Sequence, residues 1–173
     1  MTGQIDDFAS LKSYIEHNKA PTTGFLVNID YLMIINDLYG HDFGDSLILE
    51  VKELLEEFHA NHPEYHLFHD GRDEFFLISA YLGNNPTRHA QTIVESFEAL
   101  GIPFCCQKMS QKQKAVSTVS VGVIVIDNTG VFSTFIDALK ESLYRAKKHK
   151  PSGVHVLDML TNPVPRQNRN PGS

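Results

Sequence analysis

The sequence predicts an α+β domain, a sheet with helices packed on it, and three observations carry that prediction. Short runs rich in β-branched and aromatic residues alternate irregularly with runs whose apolar residues recur every three or four positions, instead of following a uniform βαβ repeat. A strong turn signal, Asp70-Gly71, separates two neighbouring strand-like runs and marks a β-hairpin. With 173 residues, 42% of them hydrophobic, the chain is long enough for one core to stabilise it without disulfides or a structural metal.

The elements follow in order. Residues 6–18 read as a modest helix with Phe8, Leu11 and Ile15 at helical spacing, closed by Lys19-Ala20-Pro21. Gly24 to Asp30 is a short apolar strand with a polar end, and its period of two puts the side chains of Asn28 and Asp30 on one face. Residues 31–39 form a short helix that Gly40 to Gly44 breaks. A second helix, from about Asp45 to Phe58, sets Leu47, Ile48, Val51, Leu54, Leu55 and Phe58 against a charged face of Lys52, Glu53, Glu56 and Glu57. The hairpin pairs Tyr65–Phe68 with Glu74–Ala80, and Asp73 and Glu74 fall at or just past its tip. Arg88–Leu100 is an amphipathic helix, Val116–Ile126 the longest β-rich run, Ser133–Lys148 a helix and Val154–Leu157 a closing strand. Residues 1–19 thus make a helical lead-in, 20–158 the domain proper and 159–173 a polar tail or linker rich in Pro and Asn.

Composition narrows the function. A formal net charge of −6 argues against non-specific binding to nucleic acid or to an anionic membrane face, so a nucleotide needs a local site. No apolar run approaches a membrane span, and the N-terminus lacks the basic and apolar regions of a signal peptide, which makes cytoplasmic the expected location. Cys105 and Cys106 are adjacent and lack zinc spacing; they read as partly buried thiols in a reducing compartment. His59, His62, His66 and His69 straddle a helix end, a Pro turn and a strand, and no single face collects them, so they read as surface histidines.

The chemistry concentrates at one end of the sheet, where the strand ending Asn28-Ile29-Asp30 and the hairpin bearing Asp73-Glu74 meet. Oxygen ligands converging from two strands suit magnesium, which keeps waters and substrate phosphates in its remaining positions. A helix beginning just after Asp30 points free backbone N–H groups toward a phosphate.

The run from Asn28 to Asp45, N-I-D-Y-L-M-I-I-N-D-L-Y-G-H-D-F-G-D, resembles the D-x-D-x-F-K-x-x-N-D-x-x-G-H-x-x-G-D signature of GGDEF domains, the diguanylate cyclase family. Gly71-Arg72-Asp73-Glu74-Phe75 stands where the family's signature hairpin belongs. Val119 to Val123 resembles its S-x-G strand, and Ala138 to Lys147 its A-D-x-A-L-Y-x-A-K helix. The similarity runs over roughly residues 20–157 with the motifs in order. It implies a central, mostly antiparallel five-stranded sheet flanked by helices, and an activity in which a dimer joins two GTP molecules into cyclic di-GMP with magnesium.

Matched position by position, the resemblance assigns Asn36 and Asp45 to the guanine base, and Tyr31, Leu32, Gly71 and Lys147 to the phosphates. Asn28, Ile29 and Asp73 take the metal positions, and Asp73 and Glu74 the catalytic ones. Read from the residues alone, Asn36 and Asp45 serve equally as helix caps, and Lys147 as one of the cations complementing a helix C-terminus.

Three departures fall on this set. Asn28 replaces a magnesium-binding aspartate, which lowers affinity for magnesium and leaves manganese as a substitute. Met33 replaces a phosphate-neutralising lysine. Arg72 replaces the second hairpin glycine: it either obstructs the pocket or binds phosphate in place of the lost lysine, and a positive φ there would strain a residue with a Cβ. The Arg and Asp of the family's product-inhibition motif are His62 and Tyr65 here, so feedback binding is not expected. The family's usual entry motif is missing from the N-terminus, which fits either a trimmed boundary or local divergence.

The expectation is a degenerate GGDEF domain in cyclic di-GMP signalling that binds GTP, is catalytically impaired and acts as a regulatory or interaction module. It is expected as a possible homodimer, with an EAL or sensory domain in the same or another chain. The rival readings are an active, dimeric diguanylate cyclase and a nucleotide-independent interaction domain.

Overall fold

A computed structural model of the chain describes residues 5–18, 20–80, 85–105, 114–127, 130–149 and 151–160. Among them the order is β1 (Asp6–Asp7), α1 (Phe8–His17), β2 (Thr22–Ile29), α2 (Leu32–Tyr39), α3 (His41–Asn61), β3 (His66–His69), β4 (Glu74–Ser79), α4 (Pro86–Glu98), β5 (Pro103–Cys105), β6 (Lys114–Val116), β7 (Val119–Ile126), α5 (Phe132–His149) and β8 (Val154–Met159). Six strands form one sheet in the order β1-β3-β4-β2-β7-β8, and β5 and β6 pair separately. The three central pairings are antiparallel, while the edge pairings β1–β3 and β7–β8 are parallel. No helix among the described residues is long and apolar enough to cross a membrane.

Strand periodicity divides the core into two layers. Phe25, Val27, Ile29, Phe75, Leu77, Val119, Val121 and Val123 face α3 and α4, meeting Leu47, Val51, Leu55, Ile93 and Phe97. The alternate residues Leu26, Phe76, Ile78, Ile124 and Ile126 face α1 and α5, meeting Leu11, Ile15, Phe135 and Leu139. Close approach of α5 depends on Gly122, where an added Cβ would lie 2.3 Å from the Leu143 backbone nitrogen. The buried Ser142 hydroxyl reinforces that contact: its single proton is shared between the carbonyls of His155, at 2.7 Å, and Val123, at 2.9 Å, and its oxygen accepts from the Val123 N–H.

Four expectations change. The sheet has six strands instead of five, because Asp6–Asp7 pairs with Phe68–His69 and does not open the first helix. Asp7 is instead the N-cap of α1, accepting from the Ser10 N–H at 2.8 Å, the role its short carboxylate favours. The break between α2 and α3 is confined to Gly40, at φ +87°; α3 starts at His41 and runs through Gly44. The long β-rich run divides at Ser117-Thr118, where the Ser117 N–H turns to the Ile102 carbonyl at 2.7 Å and Lys114–Val116 pairs with Pro103–Cys105. Cys106, the Cys105 side chain and residues 161–173 lie outside the described residues, so the thiol and tail expectations do too.

Candidate functional site

Register brings the predicted residues to one end of the sheet. Asn28, near the end of β2, stands directly opposite Glu74 on β4 and Ser120 on β7. Its side-chain amide donates to Asp73 Oδ2 at 2.9 Å and to the Asp73 carbonyl at 3.2 Å. From α5, Lys147 Nζ donates to Asn28 Oδ1 and to the Ile29 carbonyl, the latter at 3.1 Å. The ammonium thus sits on two of the three groups that the sequence puts forward as metal ligands, and the Asn28 N–H sits on the third.

Asp30 has a different use from its neighbour Asn28. Only 4% exposed, its carboxylate accepts from Thr118 Oγ1 at 2.7 Å, Ser120 Oγ at 2.8 Å and the Ser152 N–H at 2.9 Å, and lies 3.6 Å from Lys147 Nζ. These bonds tie β2, β7 and the turn before β8 together and anchor the lysine.

Charges are coupled across this cluster. Burial raises the Glu74 pKa above its ordinary value; Asp70 and Asp73 add to the rise, and Lys140 and Lys147 oppose it. Burial holds the Lys147 pKa below its usual value, against the pull of Asp30, Asp73 and Glu74.

The hairpin tip is shaped by Asp70, whose Oδ1 accepts from the N–H groups of Arg72 at 2.8 Å and Glu74 at 3.2 Å. Gly71 takes the positive φ, +83°, and Arg72 is not among the positive-φ residues, so the strain expected from a side chain at that position does not arise. Arg72 is exposed, its carbonyl 3.0 Å from His69 Nε2, and the His69 ring stacks on Phe75 with centroids 4.2 Å apart.

Beside the tip opens a shallow cleft of about 650 Å³, lined by Leu32, Met33, Asn36, Asp45, Ile48, Leu49, Lys52, His69, Gly71, Arg72 and Asp73. Met33 is 78% exposed at its rim. Asn36 Oδ1 is buried and has no hydrogen-bond partner among the described residues. The Asn36 side chain occupies the space of a missing Cβ: an alanine at position 44 would place that carbon 1.8 Å from Oδ1, so Asn36 keeps this position only while residue 44 is glycine. Asn36 thus holds an unsatisfied amide oxygen packed against Gly44, at the wall of a largely apolar cleft.

At the head of α2, Tyr31 takes a left-handed φ of +59° at the N-cap with no side-chain cap bond. Tyr31, Glu74 and Lys147 do not line the cleft; the last two belong to the sheet-end cluster on the α5 side. Lys52 and His69, which the sequence presents as part of a charged helix face and as a surface histidine, also line the cleft. For Lys52 a signal exists: it follows Asp45 by two helical turns and shares its face of α3.

Comparison with known proteins shows which family the chain is similar to. The family described as diguanylate cyclase, GGDEF domain, matches residues 6–152. The diguanylate cyclase DosC of Shigella sonnei is 25% identical over 138 residues, 79% of this chain and 28% of DosC; the Escherichia coli K12 protein is 24% identical over 137 residues. The chain therefore spans little more than a quarter of the length of these relatives. Among solved structures, diguanylate cyclase SiaD of Pseudomonas aeruginosa, in complex with its activator SiaC, has a TM-score of 0.70 at 15% identity, covering 89% of this chain and 58% of SiaD. The GGDEF domain of DgcB from Caulobacter crescentus, in complex with c-di-GMP, has a TM-score of 0.67 at 17% identity, covering 90% and 93%.

Proposed function

The chain belongs to the GGDEF family of diguanylate cyclase domains, a family of cyclic di-GMP signalling, and from that premise we propose that it is a GTP-binding, catalytically impaired member acting as a regulatory or interaction module. The observation that carries the reading is the Lys147–Asn28–Asp73 clasp. The family normally uses a divalent metal. Magnesium requires hard, mostly anionic oxygens in a near-octahedral shell. Here the amide oxygen and the Ile29 carbonyl already accept from an ammonium, and the Asp73 carboxylate accepts from an amide N–H. The residues as arranged do not fit magnesium; manganese, the more tolerant ion, is the better test of residual affinity.

Nucleotide recognition rests on the other half of the site. Asn36 and Asp45 line the cleft with the donor and acceptor capacity that guanine requires, and the buried Asn36 oxygen is unpaired among the described residues. Arg72 and Lys52 border the same cleft as Met33 and supply the positive charge that Met33 lacks, while the α2 N-terminus at Tyr31 and Leu32 offers backbone N–H groups to phosphate. An ammonium that stands in for the metal's charge lets GTP bind without a divalent ion. Homodimerisation on GTP, a cytoplasmic location, and coupling to an EAL or sensory domain in the same or another chain complete the proposal.

The test is turnover. Concentrated protein is incubated with GTP and magnesium, then manganese, and cyclic di-GMP is followed by chromatography against a Glu74→Ala control. The expected result is no product above the control, with GTP raising the unfolding temperature even in chelator. Product above the control overturns the impaired reading, and absence of any GTP stabilisation overturns the nucleotide-binding one. The double reversion Asn28→Asp with Met33→Lys is expected to create activity; if it does not, Arg72 is the residue that limits turnover.

A further inference from the structure

Outside the cleft, among the described residues, one group of three metal-ligating side chains converges: His62 and Glu64, in the turn after α3, and His89 on α4. A nitrogen from each ring and a Glu64 carboxylate oxygen lie within 4.8 Å of one another, with His62 Nδ1 3.6 Å from Glu64 Oε1. We propose that His62, Glu64 and His89 form a binding site for a divalent transition metal ion of the zinc class.

The donor set selects the ion. Two imidazoles and one carboxylate suit zinc and its first-row neighbours, which accept nitrogen readily, and discriminate against magnesium and calcium, which prefer oxygen throughout. Three protein ligands leave a fourth position for water or a further ligand, and the side chains of His62 and Glu64, 30% and 43% exposed, leave the ion a path of entry.

Each ring is held by something other than its fellow ligand. His62 stacks on Phe58 with centroids 4.3 Å apart, and its turn is ordered by the His62 N–H to the Phe58 carbonyl at 2.9 Å and the Tyr65 N–H to the His62 carbonyl at 3.2 Å. The hydroxyl of buried Tyr65 lies 2.9 Å from His89 Nδ1, the kind of outer hydrogen bond that orients a ligating imidazole. Drawing three donors from 4.8 Å to the separations of one coordination shell takes side-chain rotation, most easily by Glu64. A bound ion cross-links the α3–β3 turn to α4.

The experiment titrates the purified, metal-free protein with Co2+, reading its visible d–d absorption, and then with Zn2+ in competition. Saturation at one equivalent and displacement by Zn2+ are expected, with Zn2+ raising the unfolding temperature. His62→Gln and His89→Gln should each weaken binding at least tenfold, and Tyr65→Phe about tenfold through loss of the orienting bond. His59→Gln and His66→Gln, close in sequence but outside the cluster, should leave binding unchanged. Circular dichroism of each variant in chelator separates loss of ligand from loss of fold. Undiminished one-equivalent binding by a folded His62→Gln/His89→Gln protein overturns the proposal, as does loss that follows His59 or His66 instead. The site shares no residue with the nucleotide cleft, so the result does not depend on whether GTP binds.

Discussion

Asp30→Asn tests whether the second acidic position of the strand end is architectural. The wild-type carboxylate is 4% exposed and receives three hydrogen bonds of 2.7, 2.8 and 2.9 Å, from Thr118, Ser120 and the Ser152 N–H, with the Lys147 ammonium 3.6 Å away. An asparagine of the same shape keeps one oxygen, able to retain the Oδ2 partners Thr118 and Ser152. Its NH2 group then faces Ser120, whose hydroxyl already accepts from the Gly153 N–H at 3.0 Å, and it also faces the ammonium. One charge-assisted hydrogen bond and the buried partner of a half-buried lysine are lost, for a cost of about 2–3 kcal/mol. In a chain of this length each kcal/mol shifts Tm by roughly 2–4 °C, so thermal unfolding followed by circular dichroism should show a fall of about 5–10 °C. A fall of less than about 2 °C refutes the argument, because it means the carboxylate carries no more than a solvated surface acid would.

Three further outcomes follow from other contacts. Gly44→Ala forces Asn36 out of its place but meets only the end of that side chain, so GTP affinity should drop about five- to tenfold in isothermal titration while Tm holds or rises slightly from improved helix propensity. Gly122→Ala drives a Cβ into the Leu143 backbone, 2.3 Å away, and should cost about 3 kcal/mol in denaturant unfolding, since backbone must move to make room. Burial raises the Glu74 pKa, so the folded state keeps that proton at a pH where the unfolded chain has released it, and stability falls as pH rises from about 4.5 upward. In chelator, Glu74→Gln should therefore be the more stable protein at neutral pH and converge with wild type below about pH 4, as read from Tm across a pH series.

Legibility varied with the range of the interaction. Amphipathic stripes and the Asp70-Gly71 turn express local physics, so α3, α4, α5 and the β3–β4 hairpin sit within a few residues of their expected bounds. Asp6–Asp7 as a strand was not legible, because two aspartates acquire that state only by lying beside Phe68 and His69. The split at Ser117-Thr118 was hidden for a related reason: the Ile102 carbonyl that captures the Ser117 N–H lies fifteen residues upstream. His62 was visible as a histidine among histidines, yet its partner His89 lies twenty-seven residues on, and only the packing of α4 against the end of α3 joins them.

What the sequence determined by itself was the kind of fold, the family through four motifs in order, and the residues gathered at the sheet end; these are properties of residue type and spacing. What tertiary structure decided was the use each residue is put to. Asn28 and Asp30 share a strand face and a polar character, but one bridges Lys147 to Asp73 while the other is buried under two hydroxyls and an N–H. The physical reason is that a polar side chain's role is set by which partners stand within hydrogen-bond reach, and those partners, at the start of β7, on α5, in the hairpin and in the turn before β8, arrive from some 45 to 120 residues away.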